Sequence, residues 1–116
     1  MRVFRNVKPV LQKTCSFSTI STSNFVLTYK YIPSIVDARS PFRSAHLTLA
    51  KSYLLSGTLV AAGPFQPASL GAQFIFRNTT EKDVEDFVKL DPYVKNNLVT
   101  EYDIKEWNIV IGNIVH

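Results

Sequence analysis

A single α+β domain is predicted by three features of the chain. A strand-like alternation occupies residues 25–32, a helix opened by proline and closed by glycine follows at 41–56, and a second helix at about 81–90 lies between two further strands. The 116 residues suit one domain and little else. A 46% hydrophobic fraction fits a packed core, and 19% charge is too low for a disordered chain. No apolar run approaches the roughly 18 residues needed to cross a bilayer, so no membrane partner is expected.

In the first strand, Phe25, Leu27, Tyr29 and Tyr31 alternate with Val26, Thr28, Lys30 and Ile32, and Pro33 ends the run. After a loop over 33–41, Ser40 is expected to cap a helix whose first position is Pro41, where a missing N–H costs nothing. Phe42, His46, Leu49, Ala50 and Tyr53 form one stripe of that helix, and Gly57 supplies a left-handed stop. The short apolar run 58–62, ending at Gly63-Pro64, reads as a fully buried strand.

A Pro/Ser/Gly loop at 64–71 turns the chain into a third strand, where Ala72, Phe74 and Phe76 alternate with Gln73, Ile75 and Arg77. Thr80-Glu81-Lys82-Asp83 opens the second helix as a capping box ending in Asp, with Val84, Phe87 and Val88 on its apolar side. The pair Asn96-Asn97 suits a turn needing a positive φ. The last strand is expected over 99–111. Its apolar phase changes from Tyr102 and Ile104 to Trp107, Ile109 and Ile111, which predicts a bulge near Lys105-Glu106. The order strand, helix, strand, strand, helix, strand is the ferredoxin-like βαββαβ arrangement, an antiparallel sheet with two helices on one face. Aromatic residues are expected on the opposite face, which would favour a homodimer packed sheet against sheet.

The net charge of +4 needs to be located before it means anything. Residues 1–23 hold Arg2, Arg5, Lys8 and Lys13 and no acid, while residues 24–116 hold nine basic and nine acidic residues. The domain is electrically balanced, which argues against a nucleic-acid partner. The leader is basic, rich in Ser and Thr, and places Val3, Phe4, Val7 and Leu11 at helical spacing, the pattern of a mitochondrial transit peptide. The expected organisation is therefore a transit peptide at 1–23 and the domain at 24–116, in the mitochondrial matrix. Cys15, the only cysteine, falls in the leader, so the mature domain would carry no thiol for catalysis, disulfides or zinc.

Nucleotide-loop, zinc-protease and Cys-x-x-Cys motifs are absent, and neither a cofactor nor a metal is expected. His46, the only histidine not at the chain terminus, and Asp91 remain as candidates for acid–base chemistry. A carboxylate on one imidazole nitrogen would fix the tautomer and leave the other nitrogen for a substrate. Pro92 biases Asp91 towards an extended conformation just past the second helix. On spacing alone the plainer reading leads: a satisfied core histidine and a turn or C-terminal cap residue.

The motifs Arg43-x-x-His46-Leu47, Gly57-x-Leu59-x-x-Ala62-Gly63-Pro64 and Asp91-Pro92-Tyr93-Val94 resemble, in order and spacing, the YCII-related (YciI-like) family. The resemblance spans about residues 25–113. It implies a dimeric α/β barrel, a His46–Asp91 pair as the suspected catalytic centre, and a pocket near Gly63, Pro64 and Tyr93. Some relatives act on halogenated or hydroxylated aromatic rings as lyases or dehydrochlorinases. Asn96-Asn97 stands where the family usually has Ala-Gly, and the loop at 65–70, expected to border the pocket, is short.

The expected function is a lyase- or isomerase-type acid–base enzyme acting on a small cyclic oxygenated substrate. Arg43 would attract an anionic group or simply face solvent, and Tyr93 would donate a hydrogen bond or pack its ring. The alternative is a non-catalytic small-ligand-binding or protein-interaction domain of the same fold.

Overall fold

The computed structural model describes residues 21–113. The leader and Cys15 lie outside the described residues but for the last few leader positions. Four antiparallel strands, β1 (Ser23–Tyr31), β2 (Leu59–Pro64), β3 (Ala72–Thr79) and β4 (Val99–Glu106), form one sheet in the order β2-β3-β1-β4. The helices are α1 (Ile35–Ala38), α2 (Arg43–Leu55), α3 (Glu81–Leu90) and α4 (Pro92–Lys95). The predicted ferredoxin-like arrangement is what forms, with the helices packed on one face.

The core lies between that face and the helices. Phe25, Leu27, Tyr29 and Tyr31 on β1 and Ala72, Phe74 and Phe76 on β3 are buried there. From α3, Phe87 meets Phe74 and Phe76 with ring centroids 5.4 Å from each, both edge-on, the geometry aromatic rings prefer. The side chain of Thr80 accepts a hydrogen bond from the Asp83 N–H and caps α3 as expected. Gly57 takes φ +87 at the end of α2, and of the two asparagines only Asn97 is left-handed, at φ 62.

Several expectations are corrected. Residues 40–42 form a 3-10 turn, α2 begins only at Arg43, and Ser40 makes no capping bond. The chain is not all loop before it, because Ile35 on α1 is fully buried and plugs that end of the core. β2 is an edge strand in which only Leu59 is buried, since the sheet order leaves it one neighbour. β4 needs no bulge at Lys105-Glu106: it ends at Glu106, where the apolar phase changes. The Trp107 N–H still donates to the Asn24 carbonyl at 2.8 Å. The register of β1 against β4 shifts instead between Lys30 and Tyr31.

The far face of the sheet carries no aromatic row. Its ladder runs through Ala61, Ile75, Val26 and Lys105, flanked by Gln73 and Thr28, because every aromatic residue of β1 and β3 alternates to the helix side.

Candidate active site

Asp91 sits where α3 ends and α4 begins, extended at φ −69 and ψ 121, as the proline after it favours. Three donors converge on its fully buried carboxylate. The Tyr93 N–H donates to Oδ1 at 3.0 Å, which caps α4. The Tyr29 hydroxyl donates to Oδ2 at 2.6 Å from β1. His46 on α2 brings Nδ1 to 2.8 Å from Oδ1.

A carboxylate only accepts, so Nδ1 carries a proton, and in the neutral imidazole the lone pair is on Nε2. Nε2 has no hydrogen-bond partner among the described residues. The ring of His46 lies flat on that of Tyr93, with centroids 3.9 Å apart and planes at 6°. Stacking on one side and Asp91 behind hold the imidazole in one orientation.

His46 opens on a cavity of about 460 Å³ between α2 and β2. Arg43, Gly63, Pro64 and Tyr93 all line it, whereas Asp91 lies behind His46 and does not. The lining stops at Pro64 and resumes at Ala72, so the 65–70 loop does not border the cavity.

Three residues at the site escaped sequence reading: Tyr29, Tyr31 and Arg39. Tyr29 and Tyr31 fell on the buried side of a strand, and a tyrosine there needs a partner for its hydroxyl. That was the available signal. Arg39 had none, because the turn that carries it round to the cavity was read as loop.

Burial raises the Tyr29 hydroxyl far above the ordinary tyrosine range, reinforced by the charge of Asp91 and the hydrogen bond to it. Tyr31 is raised as well, by burial first, then by Tyr93 and Asp91, with Arg39 opposing. Both groups therefore stay neutral in the fold at pH values where the unfolded chain releases their protons. Stability is whole below about pH 10 and falls as the pH rises beyond it. Urea midpoints between about pH 8 and 11 should show this decline, and Tyr31→Phe should shrink it.

A ferredoxin-like domain with a buried His–Asp pair under an open cavity defines the class. The chain belongs to the YCII-related domain family, whose model matches residues 23–108. Among solved structures it is similar to 5-chloro-2-hydroxyhydroquinone dehydrochlorinase (TftG) from Burkholderia phenoliruptrix AC1100, in complex with 2,5-dihydroxybenzoquinone. The match has a TM-score of 0.63 at 22% identity and covers 73% of this chain and 93% of that one. No curated protein matches the chain significantly in sequence.

Proposed function

We propose that the protein is an acid–base enzyme of lyase or isomerase type acting on a small, cyclic, oxygenated substrate. The observation that carries this reading is His46 on the cavity wall, its Nδ1 held by Asp91 and its Nε2 without a partner among the described residues. In this reading Nε2 accepts a proton from a C–H or O–H of the ring. The released electron pair forms a new double bond, and either a leaving group departs with its own pair or the proton returns at another carbon. Asp91 stabilises the imidazolium in between, and Tyr29 holds Asp91 in place. Arg43, Gly63, Pro64 and Tyr93 form the substrate's surroundings.

A homodimer and a mitochondrial matrix location belong to the same proposal. The first rests on the family resemblance, and the second on the leader's composition.

The test follows chloride release from 5-chloro-2-hydroxyhydroquinone, and deuterium entry from solvent into the ring of hydroxyhydroquinone. The wild type should accelerate at least one, and His46→Ala should lower that rate by about 10²–10⁴-fold. Wild-type rates equal to buffer for both would favour the non-catalytic binding domain.

A further inference from the structure

Tyr31 and Tyr93 are buried, 8% and 3% exposed, yet neither hydroxyl has a hydrogen-bond partner among the described residues. A buried hydroxyl without a partner forfeits hydrogen bonds it made in water, so such groups are normally satisfied. Both tyrosines line the cavity, with ring centroids 6.1 Å apart and edge to face. Arg39 and Arg43 line it too, and the two guanidinium charges pull the Tyr93 hydroxyl back down against the burial that raises it. Lys51 is a third cation on the wall. None of the three has a carboxylate within 4.0 Å among the described residues, and no acidic side chain lines the cavity.

We propose that Tyr31, Tyr93 and Arg39 form an anion cradle that selects substrates bearing a carboxylate or a phenolate oxygen, with Arg39 as the specificity-determining residue. The inference rests on the cavity beside His46 being the substrate site, and it names the class of substrate that site takes. Two hydroxyls donating to one oxygen, with a guanidinium beside them, match an oxyanion better than a neutral carbonyl, because charge-assisted hydrogen bonds are about twice as strong as neutral ones. Arg39 reaches the cavity from the turn before α2, whereas His46 stands on α2 itself. The anion is thus held by a different segment from the one that carries the base. Arg39 and the tyrosines orient the ring, and Nε2 meets it from the side of His46.

Benzoate and benzamide share a shape, differ in charge and carry no phenol, which makes them the probes. Ligand-observed NMR titration of the wild type should show the benzoate binding about tenfold or more tightly than the amide. Arg39→Gln should narrow the preference to about threefold or less, with Arg39→Lys between, since a lysine keeps the charge and loses the planar fork. Tyr31→Phe should weaken the benzoate several-fold and the amide little, and a melting curve of each variant shows whether it is folded.

Equal binding of the two probes by the wild type would overturn the cradle. So would an unchanged preference in folded Arg39→Gln, or binding of neither probe at millimolar concentration. The two wild-type measurements separate this inference from the acid–base reading. A preference without exchange in the wild type sinks only the enzyme, and exchange without a preference sinks only the cradle.

Discussion

Asp91→Ala is expected to cost about 3–5 kcal/mol of stability, a large part of the 5–15 kcal/mol that holds a domain of this kind together. The carboxylate is fully buried, and three donors from three separate elements end on it. Removing it strands the Tyr29 hydroxyl and the Tyr93 N–H where water does not reach, and each unsatisfied donor carries its own desolvation cost. It also uncaps α4.

Asp91→Asn is the informative partner. The amide oxygen, in the place of Oδ1, can still accept from the Tyr93 N–H and from His46. The NH₂ group in the place of Oδ2 can no longer accept from Tyr29, and the negative charge behind the imidazole is gone. A loss of about 1–3 kcal/mol is expected, together with a loss of proton transfer comparable to that of His46→Ala. Urea melts at neutral pH measure the first, and deuterium exchange measures the second. If Asp91→Ala melts within about 1 kcal/mol of the wild type, the convergence of donors contributes little and the account of Asp91 given above is wrong.

The second large effect lies far from any charge. Gly71→Ala should destabilise the domain by at least about 3 kcal/mol, because two problems coincide. Gly71 has φ +119, which an alanine adopts only under strain, and a Cβ there would stand 2.0 Å from the Tyr29 carbonyl oxygen. The crowding atom is backbone, so β1 or the chain before β3 has to move. Tyr29 is the residue that supports Asp91, so the shift should reach the site as weaker benzoate binding as well as a lower melting temperature. Gly63→Ala is the control. Its φ is not positive and nothing lies within 4 Å of the added carbon. Its effect on stability should stay within about 0.5 kcal/mol, although its position on the cavity wall leaves room for an effect on ligands.

The sheet and the two long helices were legible in the sequence because each rests on local chemistry, whereas the pairing of His46 with Asp91 came from the family resemblance and not from spacing. Alternation marked β1 and β3, Thr80 marked the start of α3, and Pro92 marked the extended backbone at Asp91. What escaped depends on where the strands sit in the sheet. The run Leu59-Val60-Ala61-Ala62 has the composition of a central strand, yet β2 is at the edge, and its residues line a cavity. Alternation shows that Tyr29 and Tyr31 share a face. It does not show that one hydroxyl meets Asp91 while the other is left for the cavity. The expected aromatic far face failed because the strands offered two faces and their aromatics proved to share the inner one.

The edge position of β2 carries a consequence for how such a protein can diversify. One wall of the cavity is built from exposed residues outside the core, Ala61 through Pro64, whereas His46 and Asp91 are buried. Substitutions along that wall reshape what the cavity admits at little cost to folding, while substitutions around Asp91 endanger the whole domain. In the proposed enzyme the chemistry is therefore constrained and the choice of substrate is free to drift.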